Sequence, residues 1–257
     1  MKRIVKLIIS FLYLPLNKIL MFKSPLHSIF YFHSVYRETR GKFEEQIKFI
    51  EKHAAPVNLT ENDELKPRKK YFSLTFDDGF QNLLENVIPF LEKKNLPAVI
   101  FIPTNYIGKK PEWSISNEIY EKDKSEFIMT VEQIKNLNKQ LFSIGSHTCS
   151  HPYLSKLTGE EIKHELQESK RILESIVDYE IDMLSFPHGD YSQEVIEIAE
   201  ELGYKKMFGI LAGNVNYKDK PIGRIFVSPN EWKIELWLKI NGGYNWQQLV
   251  KKLKDYI

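Results

Sequence analysis

The chain has 257 residues, which is enough for one large domain with a buried core. Its 36 Lys and Arg residues are interleaved with 34 Asp and Glu residues, so the net charge of +2 gives no sign of a nucleic-acid partner. The single cysteine, Cys149, excludes an internal disulfide framework. The composition therefore indicates an ordinary globular protein, and we expect no nucleic acid among its partners.

Residues 1–26 form a basic and apolar segment ahead of a predicted main domain over 27–257. Three basic residues are followed by a mostly apolar run over 7–16, whereas a membrane-spanning helix needs roughly 20 apolar residues. An uncleaved signal-like segment is one interpretation, although no small-x-small cleavage site follows. A helix lying on a membrane surface is a second, and a terminal helix packed on the domain is a third. We expect a monomer with peripheral membrane contact through residues 1–22. A membrane-associated or cytoplasmic location is favoured, and export stays open.

The rest of the chain alternates between strand patterns and helix patterns. Short continuous apolar runs predict buried strands, and apolar residues at helical spacing predict amphipathic helices. The predicted strands are 27–33, 71–76, 98–102, 141–145, 183–186, 206–211 and 224–227. The predicted helices are 43–52, 80–95, 130–140, 158–176, 192–202 and a last one from Trp246. Residues 54–70 and 104–127 are predicted as loops, and the second is long enough for a lid or a binding loop.

The repeated strand-then-helix order predicts an α/β protein with a parallel sheet, either open or closed into a barrel. Polar stretches follow three of the predicted strands, at 77–78, 147–151 and 187–189. In a (β/α) barrel the C-terminal ends of the strands meet on one face, where active sites lie. The position of these stretches therefore favours the barrel.

Two adjacent carboxylates, Asp77 and Asp78, follow the 71–76 strand and precede Gly79. Side chains alternate along a strand, so both can face one site only if the chain turns at that point. Like charges this close repel each other, and a bound cation relieves the repulsion while leaving the second carboxylate free as a base. The alternative is that Asp-Asp-Gly is simply a polar turn after a strand.

His147 and His151 are four residues apart, a spacing that can bring both imidazoles to one ion from a helix face or a tight loop. Together with Asp78 they make a His₂-carboxylate set with open positions for water and substrate. This set suits a catalytic Zn²⁺ ion, and Fe²⁺, Co²⁺ or Ni²⁺ accept the same N and O ligands. Such an ion lowers the pKa of bound water toward about 7, and Asp77 beside it is placed to take the proton.

Three stretches resemble the leading motifs of the NodB-type polysaccharide deacetylases (carbohydrate esterase family 4). They are Thr75–Gly79 (TFDDG), Ser146–His151 (SHTCSH) and Phe186–Gly189 (FPHG). The resemblance covers about residues 28–230. It implies a single-domain, distorted (β/α)₇ barrel.

The resemblance also implies roles for individual residues. Asp77 would be the catalytic base, and the metal ligands would be Asp78, His147 and His151. The turn of Pro187, His188 and Gly189 would line the acetate side of the site, with the His188 N–H helping to hold the oxyanion. The family often has an aromatic residue at the position of His188, so its side chain is either functional or a wall of the site.

This chain departs from the family in its general acid. Many members have a late Leu-x-His motif for this role, and no histidine follows His188 here. However, Tyr31-Phe-His33 resembles the N-terminal Tyr-His motif of the circularly permuted branch, the poly-N-acetylglucosamine deacetylase type. The resemblance thus implies His33 as the acid, the alternative being a core histidine. Arg224 lies in a stretch similar to a late strand of that branch, where it either holds Asp77 ionised or is an exposed surface arginine.

We therefore predict a metal-dependent hydrolase that removes acetyl groups from N-acetylated amino sugars in a surface polysaccharide or its precursor. One rival is an O-acetyl esterase or another amide hydrolase with the same machinery, because the motifs dictate carbonyl attack without naming the leaving group. The other is a non-catalytic glycan-binding or assembly protein on the same scaffold.

Overall fold

A computed structural model describes residues 2–20, 24–61, 64–113, 118–212, 215 and 218–255. The strands are β1 (Leu26–Phe32), β2 (Ala55–Pro56), β3 (Lys70–Phe76), β4 (Ala98–Ile102), β5 (Phe142–Ser146), β6 (Met183–Ser185), β7 (Lys206–Phe208) and β8 (Ile225–Phe226). The α-helices are α1 (Lys2–Leu20), α2 (Arg40–His53), α3 (Asn82–Asn86), α4 (Ile88–Lys94), α5 (Val131–Lys135), α6 (Gly159–Val177), α7 (Gln193–Glu201), α8 (Lys233–Ile240) and α9 (Trp246–Asp255). Short 3₁₀ turns cover Thr104–Tyr106, Glu118–Ser125, Leu154–Lys156 and Pro187–Gly189.

Seven parallel strands form one curved sheet in the order β7-β6-β5-β4-β3-β1-β8, and β2 pairs with β3 outside this path. Within the described residues no ladder joins β7 to β8, and a single bridge between Phe208 and Ile222 lies near the gap. The barrel is therefore incomplete. The predicted distorted (β/α)₇ barrel is confirmed, and we call the end where its strands finish the mouth.

The strands read as continuous apolar runs because both of their faces are covered. Along β4, Ala98, Ile100 and Ile102 pack outward against the helices, whereas Val99 and Phe101 join a smaller apolar cluster inside the barrel. That cluster leaves no room for a side chain on the neighbouring strand, since a Cβ on Gly145 would lie 2.4 Å from the Phe101 ring. The interior is thus a packed core with its polar groups at the mouth.

Two predicted helices differ from the observed ones for local reasons. The helix predicted over 130–140 ends at Lys135. Three residues later, the Asn138 side chain accepts a hydrogen bond from the Gln140 N–H, and its backbone carbonyl accepts from the next two N–H groups, so the chain turns instead of continuing the helix. The helix predicted over 80–95 is broken at Val87 into α3 and α4. Pro89 lies in the first turn of α4, which is where a residue without an N–H fits a helix. The predicted strands over 206–211 and 224–227 shorten to β7 and β8, and α8 has no counterpart among the predicted elements.

The N-terminal segment is a helix, α1, that packs against α8. Its residues Leu7, Ser10, Leu14 and Asn17 are buried. Among the described residues, no helix combines the length and the hydrophobicity that crossing a membrane requires. The division of the chain at residue 26 stays a prediction.

Candidate active site

The two adjacent aspartates reach the mouth because the chain turns sharply after β3. The Asp77 N–H still continues the ladder, donating to the Phe32 carbonyl at 2.9 Å. Asp78 (φ +67°) and Gly79 (φ +62°) then adopt left-handed conformations. Space also selects glycine, since a Cβ at residue 79 would lie 2.9 Å from Ile102 Cγ1. The expected turn is present, and both aspartates are buried at one site.

The two histidines lie on an irregular loop after β5, which is the second of the two arrangements that their spacing allows. Thr148 (φ +65°) and His151 (φ +59°) are left-handed, and the His151 N–H donates to the Thr148 hydroxyl at 3.1 Å. The Glu165 carboxylate on α6 accepts the N–H groups of Cys149 and Ser150, each at 2.8 Å. A carboxylate from a helix therefore holds this loop in shape, and sequence analysis missed it.

The turn and the loop bring three potential metal ligands together. Nε2 of His147 and Nε2 of His151 each lie 3.5 Å from Oδ1 of Asp78, and the ligand atoms lie within 4.8 Å of one another. The His147 Nδ1 is 2.7 Å from the Ser185 carbonyl, which can only accept, so the proton is on Nδ1 and the Nε2 lone pair faces Asp78. The buried Asp78 Oδ1 accepts no hydrogen bond from the described residues. This donor set fits a divalent ion.

The pKa values of these three potential ligands are those expected of a site that could hold a cation. Burial, reinforced by the charge of Asp77, raises the pKa of the Asp78 carboxyl well above its usual value. Burial lowers the pKa of His147 to about 4 and that of His151 well below its usual value. Both imidazoles are therefore neutral, which is the form that binds metal. A cation bound beside them would stabilise the ionised form of the buried Asp78 carboxylate.

The other aspartate, Asp77, is bound by a buried arginine. Arg224 Nη1 and Nη2 lie 2.7 Å and 2.8 Å from the two Asp77 carboxylate oxygens. Arg224 is fully buried, which excludes the alternative of an exposed surface arginine. Burial raises the pKa of Asp77, but the Arg224 charge outweighs it and the net pKa is about 2. Asp77 is therefore ionised at neutral pH.

His33 lies just after β1, partly buried beside this pair. Its ring is 5.8 Å from that of Tyr31 and 6.3 Å from that of Phe226. Burial lowers the pKa of His33 to about 4, while the Asp77 charge acts in the opposite direction. His33 is thus close enough to Asp77 for that charge to act on its pKa, and its role as general acid stays a prediction.

The 187–189 turn forms one wall of the site next to His151. His188 (φ +58°) and Gly189 (φ +65°) are left-handed, and a Cβ on Gly189 would lie 2.4 Å from Ile210. The His188 ring meets the His151 ring edge-on at 4.6 Å and stacks on Tyr153 at 4.1 Å. Its side chain is therefore part of the aromatic wall of the site.

Two further residues come from the long 104–127 segment, which the sequence marks only as a lid or binding loop. The Trp113 ring stacks on the His151 imidazole with centroids 4.2 Å apart. The buried carboxylate of Asp123 accepts hydrogen bonds from the hydroxyls of Ser34 and Tyr36, which tie the segment to the chain after His33. This segment therefore contributes to the site.

The barrel and its mouth define a class of protein, a (β/α) barrel with an Asp-His-His group that could hold one metal ion beside a separate, ionised aspartate. A family model described as "Polysaccharide deacetylase" matches residues 64–207, more than half of the chain. The chain belongs to the polysaccharide deacetylase family.

Individual relatives are more distant. A putative polysaccharide deacetylase, YxkH of Bacillus subtilis, is 28% identical over 177 residues, which cover 66% of this chain and 57% of that protein. An uncharacterised 30.6 kDa protein of Geobacillus stearothermophilus is 24% identical, over 57% of this chain and 48% of that protein. The chain thus spans about half the length of these two relatives. The poly-β-1,6-N-acetyl-D-glucosamine N-deacetylase of Staphylococcus aureus is 24% identical over 234 residues, 82% of this chain and 78% of that protein.

Solved structures share the fold. IcaB from Ammonifex degensii superposes with a TM-score of 0.71 at 19% identity, covering 85% of this chain and 98% of that chain. The deacetylase PplD of Streptococcus pyogenes gives 0.68 at 20% identity, covering 84% and 98%.

Proposed function

We propose that this protein is a metal-dependent deacetylase that hydrolyses the N-acetyl groups of amino sugars in a surface polysaccharide or its precursor. The observation that carries the proposal is the side-by-side placement of an ionised Asp77 and the group of Asp78, His147 and His151. One aspartate is held by an arginine and the other faces two imidazoles, so the two carboxylates have different roles. Family membership and the name of the Staphylococcus aureus relative support the substrate class.

Asp78, His147 and His151 would hold the ion, which we propose is Zn²⁺, with Co²⁺, Ni²⁺ or Fe²⁺ as alternatives for the same donors. A divalent ion bound there supplies a Lewis acid for the acetyl carbonyl and acidifies a water molecule. The chain's own part begins with Asp77, which takes a proton from the attacking water. Arg224 keeps Asp77 ionised and fixes its orientation through both oxygens.

The other proposed roles belong to the 187–189 turn and to His33. The backbone N–H of His188 donates to the negative charge that develops on the carbonyl oxygen, and Pro187 and Gly189 shape the turn that lines the acetyl group. His33 protonates the departing amine. Because its pKa is about 4, its imidazole is neutral at rest at neutral pH. It must therefore gain its proton during the reaction, and the proton that Asp77 takes from the water is the one available, because the pKa of Asp77 is about 2 and that of His33 about 4.

We propose an N-acetylated glycan as substrate and a monomer as the working form, with only peripheral membrane contact through residues 1–22. A non-catalytic glycan-binding protein has no need of all three metal ligands and of a base with its own arginine. An O-acetyl esterase would use the same residues, and substrate comparison separates it from a deacetylase.

The test is acetate release from a panel of N-acetylhexosamine oligomers, with and without chelator, for the wild type and Asp77→Asn. We expect chelation to abolish release, and Asp77→Asn to lower it about 10²–10⁴-fold with the metal content unchanged. Asp178→Asn, the same change at an exposed helix end, is the matched control. Full activity of Asp77→Asn would remove the assigned base. Faster release from matched O-acetyl substrates would assign an esterase.

A further inference from the structure

The helix α1 presents a continuous apolar face to the outside of the molecule. Eight of its large apolar side chains are between 38% and 75% exposed, half of the sixteen such exposed side chains among the described residues. They lie on one side of the helix at helical spacing. We call this set the outer α1 face, and it consists of Ile4, Val5, Ile8, Ile9, Phe11, Leu12, Leu16 and Ile19.

The opposite side of α1 is fixed to the barrel, so the outer α1 face cannot turn inward. Arg3 forms an ion pair with Glu235 of α8. The Ser10 hydroxyl accepts a hydrogen bond from the Trp246 indole N–H at 3.0 Å. The Asn17 amide donates to the Asn241 carbonyl at 3.4 Å. The helix is thus part of the folded domain while half of its circumference remains apolar and exposed.

The charge around this face identifies the chemistry of its partner. The helix α1 itself contains four Lys or Arg residues and no Asp or Glu. Lys6 and Lys18 are exposed near the two ends of α1. A second copy of the chain would bring these cations against each other. An anionic lipid surface satisfies both the apolar face and its basic border.

We propose that the outer α1 face lies on the anionic surface of a lipid bilayer and orients the barrel upon it. Near its N-terminus, Arg3 donates to the Asn230 carbonyl at 2.8 Å, in the chain that follows β8 at the mouth. Near its C-terminus, α1 meets Asn241, whose side chain accepts from Lys70 at the start of β3, at the other end of the barrel. The helix therefore runs along the side of the barrel, and the mouth opens sideways over the bilayer.

The experiment uses the full chain and two kinds of vesicle, phosphatidylcholine alone and phosphatidylcholine with phosphatidylglycerol. Leu12→Glu/Ile19→Glu changes the two most exposed positions of the outer α1 face, at 75% and 73%. Val131→Glu/Ile234→Glu makes the same charge change at 42% and 41% exposed positions elsewhere. We expect the wild type and the control to sediment with anionic vesicles, and the α1 variant to lose at least about tenfold in partitioning.

A second readout locates the contact. Because Cys149 is buried, an environment-sensitive fluorophore can be attached to a cysteine introduced at residue 12 or at residue 131. We expect a blue shift with anionic vesicles only at residue 12. No sedimentation of the wild type, equal loss in the control, or a lipid-free dimer that the α1 variant dissociates would overturn the proposal. Acetate release from soluble oligomers should be equal in all variants, so a failure of the proposed function is seen separately.

Discussion

Arg224 and Asp77, which are 147 residues apart in sequence, form a two-fold hydrogen-bonded ion pair at distances of 2.7 Å and 2.8 Å. The guanidinium also donates to the Gly209 carbonyl and to the hydroxyls of Thr75 and Ser185. All five of its N–H groups can thus be used inside the protein. The pair holds the proposed base in its ionised form and in one orientation, at the expense of its basicity.

Replacing Arg224 with methionine should raise the pKa of Asp77 from about 2. A base acts only when ionised, so activity is present above its pKa and is lost as the pH falls through it. The acid limb of kcat/KM should therefore move to higher pH in the variant. The uncompensated buried carboxylate should also cost about 3–5 kcal/mol of unfolding free energy at neutral pH. Both are measured on the metal-loaded protein, by a pH profile and by urea unfolding.

The control for this variant is Lys205→Met, which removes a cation from an exposed ion pair with Glu180 and should leave both measurements unchanged. Adding Asp77→Asn to Arg224→Met should restore part of the lost stability, because it removes the unpaired charge. An unshifted acid limb in a folded Arg224→Met protein would contradict the proposed role of the pair.

The site residues that could be predicted from the sequence are those that directly follow the ends of strands. Because parallel strands buried on both faces are continuous apolar runs, the sequence alone places the polar stretches after β3, β5 and β6 at one mouth. The ends of helices are harder to predict from the sequence. They depend on single residues such as Asn138 and Pro89, whose bonding is a local competition that periodicity does not record.

The residues that could not be predicted act through contacts between distant segments. Glu165 is one of several glutamates on α6, and nothing in its spacing separates it from Glu168, which pairs with Arg171 instead. Ser185 orients His147 through its carbonyl, which every residue has. The burial of Arg224 depends on three separate segments, around Thr75–Asp77, Ser185 and Gly209, meeting around one side chain. Such roles follow from packing and leave no pattern in the sequence.

Glu165 should control metal affinity although it is not a ligand. Its carboxylate accepts two N–H groups and the Ser150 hydroxyl from the loop between the two histidines. Glu165→Ala should therefore lower affinity for Zn²⁺ by about 10–100-fold, as for other groups that orient metal ligands. Competition with a chromophoric chelator measures it. Glu168→Ala on the same helix is the control, and equal affinities in the two variants would show that the loop holds its shape without Glu165.

The effect of replacing His33 on kcat should depend on how strongly the leaving group of the substrate needs protonation. His33→Gln should lower kcat on an N-acetylated amino sugar about 10²–10⁴-fold, because an amine leaves poorly without protonation. The loss should be much smaller with p-nitrophenyl acetate, because the nitrophenolate leaves as an anion. His164→Gln, at an exposed position on α6, is the control. Equal losses on both substrates would indicate a structural role for His33.

The two histidines proposed as metal ligands are held in different ways, and Trp113 should matter for only one of them. His147 is anchored by the Ser185 carbonyl, whereas the buried Nδ1 of His151 has no hydrogen-bond partner among the described residues. The His151 ring is instead held by Trp113 on its face and His188 at its edge.

Truncation of Trp113 should therefore loosen His151 and weaken metal binding. We expect Trp113→Ala to lower Zn²⁺ affinity, and Trp113→Phe to restore most of it because a flat ring still covers the imidazole. Phe127→Ala, at an exposed position of the same long segment, should have no effect. The measurement is metal titration against a competing chelator, with the activity of each variant recorded at saturating metal. The contrary outcome is a Trp113→Ala variant that binds Zn²⁺ like the wild type but has a higher KM for the glycan. In that case Trp113 contacts the substrate, and the His151 ring is positioned by the backbone alone.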